Sequence, residues 1–161
     1  MPEHLKIWGP FAVFGLVVAA LVFGIDQGYK TWMLHYYNIA ERQPVQITPF
    51  LDLVIVFNKG ISYGWLKGLG PWPLIAGQSL VTIFLWLWLA GSKRKFDAVV
   101  LGVIVGGALG NIADRIIYGG VADFFFLHAY GFSWYVFNLA DVAVVAGAAI
   151  LVYTSFTDKT E

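Results

Sequence analysis

The sequence predicts an all-α membrane protein of four transmembrane helices, with a small extracytoplasmic β-sheet and an interfacial helix or loop. Of its 161 residues, 59% are hydrophobic and 12% are charged, whereas about 25% of a soluble domain is charged. Aromatic residues, which are enriched where a bilayer meets water, make up 17% of the chain. Four segments have the roughly 20 mostly apolar residues that a helix needs to cross a bilayer.

The predicted spans cover residues 7–25, 73–90, 98–118 and 135–155. The first two contain no charged residue, which is typical of simple membrane anchors. The third and the fourth carry polar residues toward one end. No Ser/Pro-rich or charge-rich linker and no repeat divides the chain, so residues 1–161 are expected to form a single integral membrane domain.

The orientation follows from the short connection between the second and third spans. It carries Lys93, Arg94 and Lys95, and short cytoplasmic loops collect basic residues. Both termini are therefore expected in the cytoplasm, and residues 26–72 and 119–134 are expected outside.

The two outer segments are expected to have structure of their own. Residues 51–57 and 61–66 are typical of strands on either side of a turn at Asn58 and Gly60, which predicts a small sheet on the membrane surface. Residues 121–135 are too short and too polar to cross, so they are expected to lie in the interface as a helix or loop.

Composition excludes several classes of function. The chain has no cysteine, which excludes disulfides, thiolate metal sites and Cys nucleophiles. The formal net charge is zero, so no basic face is expected to bind nucleic acid. His4, His35 and His128 lack metal-ligand spacing, and neither a metal nor another cofactor is expected.

Two acidic residues lie inside predicted spans, where a carboxylate is costly and usually functional. Counted from the cytoplasmic ends, Asp114 and Asp141 lie at depths of roughly 25 and roughly 21 Å. Helices joined by a short loop are normally antiparallel neighbours, so the two carboxyls are expected to face each other. Two close carboxyls do not easily both ionise, which is the arrangement of an aspartic peptidase.

Other polar and small residues surround these acids in sequence. Asn111 and Asn138 share helix faces with Asp114 and Asp141, and could orient the carboxyls or hold a substrate backbone. Arg115 is expected to point elsewhere, as an ion pair or an interfacial anchor. Asp26 and Lys30 have the spacing of a helical ion pair just past the first span. Small residues at helical intervals predict close helix packing; they are Gly102, Gly106, Gly107 and Gly110.

The residues alone leave three classes of function open. Paired acids in a membrane can hydrolyse a peptide, carry protons or cations, or only hold helices together. Transport would need a continuous polar path, and the inner halves of the four spans are apolar. Purely structural acids would tolerate neutral replacements.

Two blocks resemble the signature blocks of lipoprotein signal peptidase, also called signal peptidase II. They are Gly106-Gly107-Ala108-Leu109-Gly110-Asn111-Ile112-Ala113-Asp114-Arg115 and Phe137-Asn138-Leu139-Ala140-Asp141. Three further blocks agree in order and spacing: Asp26-Gln27-Gly28-Tyr29-Lys30, Asn58-Lys59-Gly60-Ile61-Ser62-Tyr63-Gly64 and Gly120-Val121-Ala122-Asp123-Phe124.

The resemblance implies a multi-pass aspartic endopeptidase of the bacterial inner membrane. Such an enzyme removes the signal peptide of prolipoproteins, cutting before a diacylglyceryl-modified cysteine near the outer surface. By the resemblance, Asp114 and Asp141 take the catalytic positions, and the antibiotic globomycin is expected to inhibit. The resemblance implies substrate-site or supporting roles for Asp26, Lys30, Asn58, Gly60, Asn111, Arg115, Asp123, Asn138 and Ala140.

Overall fold

The computed structural model describes residues 8–60, 70 and 72–157. Its α-helices are α1 (Ala12–Thr31), α2 (Ile39–Arg42), α3 (Trp72–Ala90), α4 (Lys95–Tyr118) and α5 (Leu139–Thr157), and a π-helical turn (Trp32–Tyr36) extends α1. Within the described residues, α1 with its π turn, α3, α4 and α5 are long and apolar enough to cross a membrane. The prediction of four membrane-spanning helices is therefore confirmed.

Helix α4 is the centre of the helical part. Its most apolar window is 67% buried, whereas the corresponding windows of the other three long helices are at most 22% buried. It packs against α1, α3 and α5, whose outer faces present large apolar side chains. In water such faces would be unfavourable, so lipid is their natural solvent, and the protein is an integral membrane protein.

Glycines allow the helix backbones to approach closely, as the sequence predicts. A Cβ atom on Gly102 or Gly106 would lie 2.5 Å from the carbonyl oxygen of Gly15 or Ala19 in α1. On the other side of α4, a Cβ atom on Gly107 would lie 2.7 Å from a carbonyl oxygen of α5. Small residues are what permits such contacts between helices in lipid.

The first helix differs from its predicted bounds of 7–25. It continues through Asp26 and Lys30, each only 1% exposed, rather than ending before them. The reason is tertiary, because the end of α1 is covered by the sheet. Tyr29 stacks on Phe125 with ring centroids 5.7 Å apart, and Met33 and Phe124 belong to one buried apolar cluster.

The sheet has four antiparallel strands in the order β1-β2-β3-β4. They are β1 (Val45–Thr48), β2 (Leu51–Asn58), β3 (Val121–Ala129) and β4 (Phe132–Phe137). The strand predicted at 51–57 is confirmed, and the one predicted at 61–66 lies outside the described residues. Strands β2 and β3 pair with Asn58 opposite Val121 and Val56 opposite Asp123, which brings both outer segments together.

The expectation that residues 121–135 form a helix or loop is wrong, because this segment forms β3 and most of β4. Tyr130 and Gly131 both have positive φ angles, of 49° and 80°, as a two-residue hairpin turn requires. The fourth span consequently begins at Leu139 rather than near 135. Asp141 therefore lies in the first turn of α5, directly after the sheet.

Candidate active site

A buried ion cluster of Asp26, Lys30 and Asp114 joins α1 to α4. Lys30 Nζ lies 2.8 Å from Asp26 Oδ2 and 2.7 Å from Asp114 Oδ2, and it donates to Asn111 Oδ1 at 3.4 Å. An ammonium group has three donors, so each of them has an acceptor. The predicted pair of Asp26 and Lys30 is present, within the protein rather than at a helix end.

The two acids of the ion cluster also accept hydrogen bonds from other elements. Asp114 is fully buried; its Oδ1 accepts from Gln27 Nε2 at 3.0 Å, and its Oδ2 accepts from the Ala122 N–H at 3.0 Å. Asp26 Oδ1 accepts from the Ala140 N–H at 3.1 Å. The ion cluster therefore fixes α1, α4, α5 and β3 relative to one another.

Asn138 and Asp141 cap the N-terminus of α5 reciprocally. Asn138 Oδ1 accepts from the Asp141 N–H at 2.9 Å, and Asp141 Oδ2 accepts from the Asn138 N–H at 3.3 Å. This is the logic of a capping box. The amide nitrogen of Asn138 donates to Asp123 Oδ1 at 2.6 Å, so one side chain holds both Asp123 and Asp141, which we call the acid pair.

Asn111 connects the ion cluster to the acid pair. Its Oδ1 accepts from Lys30 and, at 3.1 Å, from Asn138 Nδ2. Because both of these partners are donors, the amide is oriented with its nitrogen toward Asp141, and Nδ2 donates to Asp141 Oδ1 at 2.8 Å. The sequence-based idea that Asn111 and Asn138 orient carboxyls fits this arrangement.

Asp123 is 1% exposed and lies in β3. Burial, and after it the charge of Asp141, raise the pKa of this carboxyl from 3.8 to about 6, since desolvation and a nearby like charge both disfavour ionisation. Hydrogen bonds from Asn58 and Asn138 act in the opposite direction. Asn58 is itself held in a turn, where its Oδ1 accepts from the Gly60 N–H at 2.8 Å.

Asp141 is partly exposed and borders two cavities. One, of about 380 Å³, lies between α3, α4 and α5 and has a polar end formed by Asn111, Arg115 and Asp141 and an otherwise largely apolar wall. The other, of about 390 Å³, runs along α5 beside Trp134. Arg115, which was expected to point away from Asp114, lines the first cavity together with Asp141.

A sequence model described as Signal peptidase (SPase) II matches residues 18–157. The chain belongs to the signal peptidase II family. It is 49% identical over 146 residues to a lipoprotein signal peptidase of Methylocella silvestris, covering 89% of this chain and 85% of that protein. It is 43% identical over 150 residues to one of Beijerinckia indica, covering 91% and 90%.

Solved structures agree with the fold. Two bacterial membrane enzyme structures, each 24% identical in sequence, superpose with TM-scores of 0.72 and 0.70. The first covers 90% of this chain and 94% of that one, and the second covers 91% and 89%. This signal peptidase II family member is therefore a membrane protease, and removal of signal peptides from prolipoproteins is the activity of its family.

The structure of this signal peptidase brings the predicted site residues together through a continuous set of contacts. Hydrogen bonds and ion pairs link these residues: Asp26, Lys30, Asn111, Asp114, Arg115, Asp123, Asn138, Ala140 and Asp141. Asn58 is connected to the site by its hydrogen bond with Asp123, and the Gly60 N–H donates to Asn58. Sequence reasoning gave no role to Gln27, which was noted only as part of a block, and missed Gln78, because only charged residues were sought in the second span.

Proposed function

We propose that this signal peptidase hydrolyses prolipoproteins just before a diacylglyceryl-modified cysteine, with Asp123 and Asp141 as its catalytic pair. The observation that carries this proposal is the coupling of the two carboxyls. The charge of Asp141 raises the pKa of Asp123, which is about 6, and Asn138 contacts both residues. An aspartic peptidase needs one ionised and one protonated carboxyl.

The sequence predicted Asp114 as the partner of Asp141, but the surroundings of Asp114 favour a supporting role. Both of its oxygens accept hydrogen bonds or ion pairs from Gln27, Lys30 and Ala122, and no part of it is exposed. A carboxyl held by three donors in this way belongs to the network that joins α1, α4 and β3. The carboxyl of Asp123 is instead coupled to Asp141, both by charge and through Asn138. Asp123 is the better candidate.

The mechanism assigns different tasks to the two members of the acid pair. Asp141 lies in the first turn of α5, where the helix dipole favours negative charge, and it acts as the general base that takes a proton from water. Asp123, whose pKa is raised to about 6, acts in its protonated form and donates a hydrogen bond to the scissile carbonyl. The roles are exchanged as the amine leaves.

The cavity between α3, α4 and α5 suits a substrate that is partly in the membrane. Its wall includes Leu85, Ile104 and Val144, and its polar end contains Asp141. The basic connection at residues 93–95 lies at the opposite ends of α3 and α4. We assign that end to the cytoplasm by the positive-inside rule, which puts the acid pair near the outer surface of the bacterial inner membrane.

The test is cleavage of a diacylglyceryl-modified prolipoprotein by purified protein with and without a chelator. Asp123→Asn and Asp141→Asn are each expected to reduce cleavage by at least about 100-fold, since general acid–base catalysis contributes roughly 10²- to 10⁴-fold. Asp114→Asn, compared at equal folded amounts, is expected to retain much more activity. The chelator is expected to have no effect.

Each alternative has its own signature in this assay. If Asp123→Asn cleaves normally and Asp114→Asn does not, the partner of Asp141 is Asp114, as the sequence predicted. If the chelator abolishes cleavage, the carboxyl pair acts through a metal. Globomycin is expected to protect the unaltered protein from unfolding and to protect Asp123→Asn less; equal protection would argue against inhibitor contact with the acid pair.

A further inference from the structure

Gln78 is a polar residue in the first half of α3, and no role is assigned to it by the family resemblance. Its side-chain Oε1 accepts a hydrogen bond of 2.6 Å from Arg115 Nη1, and its Nε2 donates to the carbonyl oxygen of Ala108 at 3.1 Å. The two contacts need opposite ends of the amide group, so together they fix its orientation. Gln78 thereby ties α3 to the functional face of α4.

Arg115 has an unusual environment for a cation surrounded by carboxylates. Its charge interacts with Asp141, Asp123 and Asp114, yet within the described residues no ion pair of 4.0 Å or less joins it to any of them. Nη1 instead donates to Gln78 and to the Asn111 carbonyl oxygen at 3.2 Å. Its buried Nε has no hydrogen-bond partner in the part of the chain that the structure describes.

These contacts matter because guanidinium groups readily form bidentate pairs with carboxylates. A direct pair between Arg115 and Asp141 would occupy oxygens that the base needs. Gln78 offers a neutral acceptor, and it lines the same cavity as Arg115 and Asp141. The guanidinium is therefore held beside the acid pair without being neutralised by it.

We propose that Gln78 is a positioning residue that holds Arg115 at the cavity, where the guanidinium stabilises the negative charge developing on the scissile carbonyl oxygen. The proposal rests on the proposed function. Charge that develops only in the transition state is stabilised without tighter substrate binding, so the effect of Gln78 appears in kcat rather than in KM.

The experiment compares Gln78→Met, Arg115→Lys and the double variant in the prolipoprotein cleavage assay. Methionine keeps the length of the side chain and removes the acceptor. Each single variant is expected to lower kcat about tenfold, which corresponds to about 1.4 kcal/mol, with KM within about twofold. Because Gln78 acts through Arg115, the double variant is expected to be no more than about twofold slower than either single variant.

Controls separate positioning from folding. Ser79→Ala removes the neighbouring polar side chain of α3, which does not line the cavity, and is expected to cleave like the unaltered protein. Thermal unfolding midpoints of all variants are measured in the same detergent. Multiplicative losses in the double variant, an undiminished kcat in Gln78→Met, or a loss of kcat explained by unfolded protein would each overturn the assignment.

The two proposals fail in different ways. If the unaltered protein does not cleave, or if Asp123→Asn cleaves normally, the proposed function or its acid pair is wrong. If both behave as expected and Gln78→Met retains full kcat, only the role of Gln78 is wrong.

Discussion

The ion cluster and the acid pair are neighbouring groups of charged side chains that use their hydrogen-bonding capacity differently. In the ion cluster, each of the three ammonium donors of Lys30 has an acceptor, and Asp114 accepts from three residues of α1 and β3, namely Gln27, Lys30 and Ala122. In the acid pair, Asp141 borders two cavities and stays partly exposed. A fully satisfied buried network fixes a structure, whereas a carboxyl that adjoins a cavity is available for chemistry.

The largest expected effect is that of Lys30→Met on folding. Removing the cation leaves Asp26 and Asp114 buried together without compensation, and breaking a buried pair costs about 3–5 kcal/mol. Denaturant titration in detergent, followed by circular dichroism, measures the loss. Asp141→Asn is the matched control from the acid pair and is expected to stay within about 1 kcal/mol of the unaltered protein. If Lys30→Met and Asp141→Asn were equally stable, the ion cluster and the acid pair would not differ in their contribution to stability.

The second prediction concerns the pH dependence of stability. Because the pKa of Asp123 is raised from 3.8 to about 6, the folded state binds more protons than the unfolded state between these values. The stabilising contribution is complete below about pH 4 and is lost as pH rises through about 6. A pKa shift of about two units changes the free energy of unfolding by at most about 3 kcal/mol. The free energy of unfolding should therefore be higher at pH about 4.5 than at pH about 7. Asp123→Asn should remove this difference. If the difference is unchanged in Asp123→Asn, another group is responsible for the pH dependence.

A smaller effect is expected from Gly110→Ala, which tests the packing of the ion cluster. A Cβ atom at this position would meet the Asp26 carboxylate, so the carboxylate must shift away from Lys30. Overpacking of this kind costs about 1–3 kcal/mol, measurable as a lower thermal midpoint. Gly24→Ala is the control, because nothing lies within 4 Å of its added Cβ; it should be neutral or stabilise by up to about 1 kcal/mol. A reversed order would contradict the close contact.

The smallest change in stability is expected for Asn138→Ser. Serine keeps an oxygen that can cap α5, so the loss is limited to the hydrogen bonds from the amide nitrogen to Asn111 and Asp123 and should be about 1 kcal/mol. The amide that donates to Asp123 is lost, however, and this donor lowers the pKa of Asp123. The pH midpoint of the stability change should therefore move upward. A midpoint that stays in place would show that Asn138 does not influence the acid pair.

The sequence by itself determined the membrane-spanning class, because apolar runs of sufficient length have few other solutions. It also determined the close helix packing at Gly102 and Gly106, since small residues at helical spacing permit backbone contact in lipid. The family followed from local blocks whose residues are adjacent in the chain. The ion pair of Asp26 and Lys30 was also predictable, because the two residues are four positions apart on one helix.

Only the tertiary structure decided how the acids are grouped. The sequence placed Asp114 at a depth similar to that of Asp141 and Asp123 in an outer segment, and the strand β3 was not foreseen because its hairpin turn at Tyr130 and Gly131 was not recognised. The path of β3 beside α4 and α5 decides this grouping. It determines that Asp114 pairs with Lys30 and that the charge of Asp141 acts on Asp123. The role of Gln78 was hidden for a related reason. Its partners Arg115 and Ala108 lie on another helix, and contacts between distant segments leave no local pattern in a single sequence.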